Sequence, residues 1–351
     1  MNSAPASPKT SRRRRIGYRK AADKGNAGAQ SKLGAFYAKG EGVKQDFAQA
    51  AVWYRKAAAQ GDASAQANLG LLYARAEGVA QDYAQAAQYY RKAADQGDVF
   101  AASSLGLLYQ NGQGVKQDYA QAAKWYREAA DKGDAAAALN LAPLYAKGLG
   151  VKQDLTAAAT YYRKAADRGL VSAQVALAQL YEKGRGLKQD YAEAADWDRK
   201  AAEQGSVFAQ SMLGHFYVKG LGVKQDYAQA ADWYRKAATQ SDLFAETGLA
   251  LIYANGHGVK QDYAEAAKWY AKAAGRGDAF AQSNLGFLYA NGQGVKQDYV
   301  QAYKWFDLAA SHGPADNRAT AASNRDIMAD KLSATQIKQA QALSAGWKPS
   351  L

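Results

Sequence analysis

The chain has 351 residues, 45 Lys+Arg against 32 Asp+Glu for a formal net charge of +13, and no cysteine. The missing cysteines exclude disulfides, thiolate metal sites and a cysteine nucleophile, and no apolar run reaches the length of a membrane span. Residues 1–24 hold +7 of the net charge, so the rest of the chain is only mildly basic and a weak electrostatic partner for nucleic acid.

Residues 1–15, in which Pro, Ser and Ala lead into Arg12–Arg15, read as a disordered basic tail. Tyr18-Arg-Lys-Ala-Ala-Asp-Lys-Gly25 matches Tyr54-Arg-Lys-Ala-Ala-Ala-Gln-Gly61. Residues 16–26 therefore read as the second half of a repeat whose first half is absent, serving as an N-terminal cap or continuing a longer chain. From Ala27 to Pro314 a 36-residue unit recurs eight times. Its closing glycines are Gly25, Gly61, Gly97, Gly133, Gly169, Gly205, Gly277 and Gly313, with Ser241 in the one gap. The loop aspartates Asp46, Asp82, Asp118, Asp154, Asp190, Asp226, Asp262 and Asp298 keep the same step. A period of this size means stacked helical units. One linear all-α array thus replaces the two or three globular domains that length alone suggests.

Each unit opens on a short helix such as Ala63 to Arg75, with Asp62 placed to cap it and Leu69, Leu72 and Tyr73 forming a buried face at helical spacing. Gly70, a small residue beside that face, allows the second helix to come close. The loop Gly112-Gln-Gly-Val115 offers two positions for positive φ and a valine that turns back to the core. Asp118 starts the second helix, with Gln121 placed for a capping box, and Ala122, Trp125, Tyr126, Ala129 and Ala130 form its buried seam. Pro143 falls inside the first helix of repeat four, where the lost hydrogen bond predicts a kink or a shortened helix. After Pro314 the period stops. Asn317 to Lys331 and Ser333 to Ala345 read as two helices that cap the stack within residues 315–351.

The pattern Leu-Gly-x-x-Tyr-x-x-Gly-x-Gly-Val-x-Gln-Asp-Tyr-x-x-Ala-x-x-Trp-Tyr-x-x-Ala-Ala resembles the Sel-one-like repeat family, a relative of the tetratricopeptide repeats, over residues 27–314. The C-terminal Leu332-Ser-Ala-Thr-Gln-Ile-Lys-Gln-Ala-Gln-Ala-Leu343 resembles the ending of bacterial members. The resemblance implies a right-handed α/α superhelix that acts as an adaptor, with the first helices lining its concave face. It also implies, as an alternative, the hydrolase or β-lactam-binding activity proposed for some relatives. Departures are Ala76 for the first loop glycine, Ser241 for a closing glycine, Asp198 for the second-helix Tyr, and Leu-Ala at residues 141, 177 and 249 for Leu-Gly. Some relatives staple each repeat with paired cysteines, which this chain lacks.

A residue type found in every unit is structural, so function is sought where the copies differ. On the first helix the variable columns begin at Gly28, Ser31, Ala35, Ala38 and Lys39, one helical face opposite the Leu/Tyr face. The Gly28 column supplies Phe100, Phe208, Phe244 and Phe280. The Ala35 column supplies Leu71, Leu107, Gln179, His215 and Phe287. The Lys39 column reads Lys39, Arg75, Asn111, Lys147, Lys183, Lys219, Asn255 and Asn291, and the Lys32 column adds Asn68, Asn140 and Asn284. Amides beside apolar pockets suit the backbone of an extended peptide, and the lysines suit its carboxylates. The expectation is a monomeric, non-enzymatic scaffold that binds a protein segment, acidic in character, through Asn68, Phe100, Asn111, Asn140, Lys147, Lys183, Phe208, His215, Lys219, Asn255, Phe280, Asn284, Phe287 and Asn291.

No cofactor or metal site is expected. The three histidines, His215, His257 and His312, lie on different repeats without metal-ligand spacing, and His257 reads as an exposed loop filler. Arg12–Arg15 have no interleaved aromatics to stack bases, which argues against nucleic acid. A cytoplasmic location is the expectation without an export signal, and a periplasmic or secreted one if a segment precedes Met1.

Overall fold

The computed structural model describes residues 8–349, with only the backbone for residues 8–14 and Asp316, and every regular element in it is a helix. The helices fall into two compact units. The first, up to Ala173 together with Arg185–Leu187, holds α1 (Pro8–Asp23), α2 (Ala27–Lys39), α3 (Phe47–Ala59), α4 (Ala63–Arg75), α5 (Tyr83–Ala94), α6 (Val99–Asn111), α7 (Tyr119–Asp131), α8 (Ala135–Lys147) and α9 (Leu155–Asp167). Helix α10 (Val171–Lys183) is shared between the units. The second, Gln174–Gly184 and Lys188 onward, holds α11 (Tyr191–Glu203), α12 (Val207–Lys219), α13 (Tyr227–Ala238), α14 (Leu243–Asn255), α15 (Tyr263–Gly275), α16 (Ala279–Asn291), α17 (Tyr299–His312), α18 (Ala315–Ala329) and α19 (Ala334–Ala345). From α2 to α17 there is one helix pair per 36-residue repeat: an all-α solenoid of tandem helix pairs.

The recurring aspartates set the helix starts. The Asp118 carboxylate accepts from the N–H groups of Ala120 and Gln121 at 2.9 and 3.0 Å. The return half of a capping box from Gln121 does not form, because the Asp118 N–H already donates to the Tyr109 carbonyl of the preceding helix at 3.0 Å. That bond ties the two helices of the pair together. The complete capping box belongs to α19, between Ser333 and Gln336.

The two loop glycines have separate tasks. Gly112 is a left-handed C-cap, φ 68°, with its N–H on the Leu108 carbonyl. Gly114 also has φ 68°, and a Cβ there would fall 2.1 Å from the Tyr83 carbonyl carbon, at the start of the second helix one repeat earlier. The stacking of repeat on repeat therefore requires the second glycine. Ala76 takes the first glycine's place at φ 58°, a conformation that costs an L-residue roughly 1–2 kcal/mol.

In five of the eight pairs the packing centre is an aromatic ring laid on a glycine. A Cβ on Gly106 would lie 2.7 Å from the Tyr126 ring, and Gly34 with Tyr54, Gly70 with Tyr90 and Gly214 with Tyr234 repeat the arrangement. Leu33, Leu69, Leu105, Leu141, Leu177, Leu213 and Leu249 beside these positions are fully buried. A polar relay then joins repeat to repeat. Gln60 donates to Gln30 at 2.8 Å, and Gln30 donates to the Ala22 carbonyl of the preceding segment at 3.1 Å. Gln96 and Gln66, then Gln240 and Gln210, do the same. In repeat seven both partners change together, to an ion pair of Arg276 with the buried Glu246 at 3.2 Å.

At both ends and in α8 the structure departs further from the sequence reading. Residues 8–15 are helical, continuing α1 upstream of the expected start at 16. Proline suits the first turn of a helix and arginine is a good helix former, so nothing in Pro8–Arg15 stops it. Residues 1–7 lie outside the described residues. The second half of α1 does pack as a half-repeat: Ala22 is buried, Tyr18 meets Phe36 at 5.9 Å and Arg19 lies 5.0 Å over the Trp53 ring. Pro143 does not shorten α8, which has 13 residues like α6. The missing bond, from residue 143 to the Leu139 carbonyl, falls mid-helix, yet the helix runs on to its usual C-cap, where the Gly148 N–H closes on the Leu144 carbonyl. Helices α18 and α19 cap the last repeat through buried Met328 and Ala340 and a 2.6 Å bond from the Ser344 hydroxyl to Asp307; α18 starts at Ala315, directly after Pro314.

One ring is missing. Asp198 of α11 stands where the other seven repeats have Tyr or Phe. It is 3% exposed, and its Oδ1 has no hydrogen-bond partner. Burial, with the charge of Glu182 second, pushes its carboxyl up to about 8.

Two outcomes are expected. Between the ordinary value of 3.8 and about 8, the unfolded chain gives up the Asp198 proton while the folded chain keeps it, so stability falls as pH rises through that window. Asp198→Tyr should raise the melting temperature, and the gain should grow from pH 4.5 to pH 8.5 by the equivalent of a few kcal/mol, an order-of-magnitude figure. Ala142 with Tyr162 and Ala250 with Tyr270 are sister pairs in which Tyr accompanies Ala, so the ring fits beside Ala178. Thermal melts at both pH values, with Asp198→Asn as the neutral isostere, check it. Separately, Ala76→Gly should stabilise by about 1 kcal/mol, read as a higher urea midpoint.

Candidate partner-binding face

The columns that vary between repeats share one face of the first helices, and that face is unusually apolar for an exposed surface. Of the twelve large exposed apolar side chains among the described residues, seven lie on it: Phe100, Leu107, Phe208, Phe244, Leu251, Phe280 and Phe287, from 39% exposed at Leu251 to 52% at Phe244. The phenylalanines are half engaged. Phe100 stands edge-on to Tyr90 and Phe244 to Tyr234, each at 6.0 Å, and Phe287 stands edge-on to Phe306 at 5.0 Å. Each leaves about half its surface to solvent.

The polar residues divide into two groups. In the Lys32 column the amides serve their own helix. Asn68 donates to the Ser64 carbonyl at 2.7 Å and Asn284 to the Phe280 carbonyl at 2.8 Å, while Asn140 sits half-buried in the same column. In the Lys39 column Asn111, Asn255 and Asn291 are exposed, with Asn111 reaching Gln113 at 3.4 Å. The cations of that column follow a rule visible two residues on. Lys39 and Arg75 have Glu41 and Glu77 as ion-pair partners, both at 3.9 Å. Lys147, Lys183 and Lys219 have Leu149, Arg185 and Leu221 there instead, and none of the three makes an ion pair among the described residues. The positive charge of these three lysines is uncompensated.

Between consecutive first helices the face contains a socket, formed at equivalent places in both units. In the second unit it is a cavity of about 530 Å³ lined by His215, Val218 and Lys219 of α12, Tyr227 and Tyr234 of α13, Phe244, Thr247, Gly248, Leu251, Ile252 and Asn255 of α14, His257, Asp278 and Phe280. In the first unit it is a cavity of about 440 Å³ lined by Ser31, Lys32, Ala35, Ala38, Lys39, Phe47, Tyr54, Ser64, Asn68, Leu71, Leu72, Arg75 and Glu77. Most positions correspond, five repeats apart. The chemistry differs: Ala35, Ser64, Asn68, Arg75 and Glu77 become His215, Phe244, Gly248, Asn255 and His257. Larger clefts of about 710 and 830 Å³ lie along Val151–Leu155 and Val295–Gln301. They are lined mainly by the loop residues common to the repeats, which places them with the structural columns.

In the second socket Tyr234 lies between two glycines. A Cβ on Gly214 would approach its ring to 2.6 Å, and one on Gly248 to 2.7 Å. His215 is 5.8 Å from the Phe244 ring. Burial first, and Lys219 second, hold its pKa below the ordinary histidine value, against the opposing charge of Glu182, so near neutral pH its imidazole is an uncharged aromatic wall. His257 is exposed, as expected of a loop filler, yet its ring packs 4.8 Å from Tyr227 at the mouth of the cavity. No group of three or more His, Asp or Glu among the described residues could hold a metal ion, and no helix there is long and apolar enough to cross a membrane.

Of the residues expected from sequence, the structure gathers His215, Lys219, Asn255 and Phe280 at the second socket and places Asn68 at the first. Phe100, Asn111, Asn140, Lys147, Lys183, Phe208, Asn284, Phe287 and Asn291 lie on the same helical columns outside the two sockets. Sequence reasoning missed Tyr227, Tyr234, Gly248 and His257. Gly248 carried a signal: it is the one glycine in a column of Lys, Asn, Ser, Ala and Met. The side chains of Arg12, Arg13 and Arg14 lie outside the described residues.

The Sel1 repeat profile matches residues 27–62, 63–98, 99–134, 135–170, 171–206, 207–242, 243–278 and 279–314. Among solved structures, a protective antigen of uropathogenic Escherichia coli strains displaying an SLR fold is 37% identical, over 95% of this chain and 78% of that one, with a TM-score of 0.63. A Sel1 repeat protein from Oxalobacter formigenes is 32% identical, over 90% of this chain and 95% of that one, with a TM-score of 0.61. No curated protein matches significantly. With eight profile matches in register and two solved relatives above 30% identity, the chain belongs to the Sel1 repeat family.

Proposed function

We propose that this protein is a scaffold that holds a partner polypeptide segment along the variable face of its first helices. Sel1-type repeats form protein-interaction surfaces, and this chain carries no metal-ligating cluster among its described residues. The observation that carries the reading is the recurrence of one socket in both units with its lining changed at the variable positions. A purely structural cavity would keep nearly the same lining in each copy, as the loop-aspartate column does throughout and the Trp and loop-glycine columns do with few exceptions.

The geometry suits an extended segment. Sockets at equivalent places in the two units take side chains, while the exposed amides of Asn111, Asn255 and Asn291 are available to backbone groups. Lys147, Lys183 and Lys219 add a charge preference, since each lacks the acidic neighbour that neutralises Lys39 and Arg75. An acidic partner supplies the missing counter-charge, with its main effect on encounter and selectivity.

A triple variant, Lys147→Glu, Lys183→Glu and Lys219→Glu, tests this. All three side chains are exposed, so the helical circular-dichroism signal should be retained. Affinity capture from the native host with quantitative mass spectrometry should show partner recovery reduced about tenfold or more, the scale of one to two rim charges reversed. Recovery equal to that of the unmodified protein would remove the acidic-partner reading.

A further inference from the structure

The two sockets are built on the same frame, so the side chains that differ between them report what each accepts. Exchanging Ser64, Asn68 and Glu77 for Phe244, Gly248 and His257 removes a charge and two polar groups and adds two aromatic rings. The amide that lines the first socket at Asn68 is reduced to a hydrogen at Gly248, whose bare backbone lies directly against the buried Tyr234 ring, where a Cβ would fall 2.7 Å from it. The remaining space, about 530 Å³, falls in the range of ligand pockets. Its rings meet edge to face, Phe244 on Tyr234 at 76° and 6.0 Å, the geometry that aromatic groups prefer among themselves.

The charges at the rim narrow the occupant further. Lys219 lines the cavity, is exposed, and makes no ion pair among the described residues, because Leu221 stands where Glu41 and Glu77 stand in the first two repeats. Asp278 is the acid in the lining, and its carboxylate is engaged: it caps α16 by accepting from the Ala281 N–H at 2.6 Å, at a helix N-terminus that offsets its charge. Glu182 acts on His215 from the α10 side and disfavours an acid there. An incoming carboxylate is therefore directed to the Lys219 and Asn255 side.

We propose that the socket of repeats six and seven receives an aromatic side chain of a partner polypeptide carrying Asp or Glu within two residues of that ring. This rests on the reading that the first-helix face binds a partner segment. The first-unit socket, with Arg75 already paired to Glu77 and no ring at Ser64, does not share the preference and serves as an internal control.

The test uses a phage-displayed library of random 12-residue peptides, selected on the full chain. Enriched peptides should share an aromatic residue with an acid within two positions. A fluorescein-labelled selected peptide, followed by anisotropy, should bind Leu251→Glu at least twentyfold more weakly and Leu71→Glu within twofold of the unmodified protein. Lys219→Glu should weaken it about tenfold, and changing the peptide's acid to its amide should erase that difference. Leu251 is partly exposed; should Leu251→Glu melt early, Phe244→Ala at an even more exposed position replaces it. Selected peptides that lose binding to Leu71→Glu and keep it to Leu251→Glu would overturn the socket assignment while leaving the binding face intact. Peptides that depend on Leu251 yet carry no acid and ignore Lys219→Glu would overturn the carboxylate. A selection that enriches nothing would remove the binding face itself.

Discussion

The close approach of the two helices in a pair is set by an aromatic ring laid on a residue with little or no side chain. In repeats one, two, three, six and eight that residue is a glycine, and the ring sits at or close to where a Cβ would be; in repeats four and seven it is an alanine. Dispersion falls steeply with small gaps, so a ring resting on a bare Cα is a strong local contact for little volume. The alanine seams on either side follow from it: Ala122, Ala123, Ala129 and Ala130 are buried because the helices are too close for larger residues. The same compactness forces Gly114 over the start of the neighbouring second helix.

Because each repeat touches chiefly its neighbours, a change in one unit is answered nearby. The glutamine relay shows this most directly. Gln30 goes with Gln60, Gln66 with Gln96 and Gln210 with Gln240, whereas Glu246 goes with Arg276. Where the relay glutamine is missing, at Ala102, Lys132 reaches back to the Gly97 carbonyl at 3.3 Å. Gln282, whose partner position holds His312, is left with an unpartnered Oε1. Buried polar atoms are costly unless bonded, so these covarying pairs are the expected result of local accounting in a linear array.

The architecture could be read from the sequence because it is periodic: caps, loop glycines and the buried seam recur at a fixed step, and a recurring residue type must answer a recurring need. The misreadings fall where the period gives no guidance. The helical extension over residues 8–15 precedes the first repeat. Pro143 breaks a helix rule, but α8 keeps the length and the glycine C-cap of its sister helices, set by the frame of the repeat around it. Gln121 had the right spacing for a capping box, but the N–H it would have taken was already committed to Tyr109 in another helix, a contact that spacing along one helix cannot show.

The candidate site was half visible for the same reason. Columns that vary can be listed from the sequence, and the face they share follows from helical geometry, so His215, Lys219, Asn255 and Phe280 were found. A socket between consecutive repeats draws its walls from two first helices, the second helix between them and a loop. Tyr227 and Tyr234 belong to columns that recur as aromatics and were set aside as structural. They are structural, and one surface of each is also the wall of a cavity. The rings at the two sockets both stay buried, Tyr54 at 2% and Tyr234 at 3% exposed. What differs between the two sockets is the residue beside the ring: a polar side chain at Asn68, a bare backbone at Gly248. In a repeat protein of this kind the variable positions set the chemistry of a socket whose frame is held by residues that barely change.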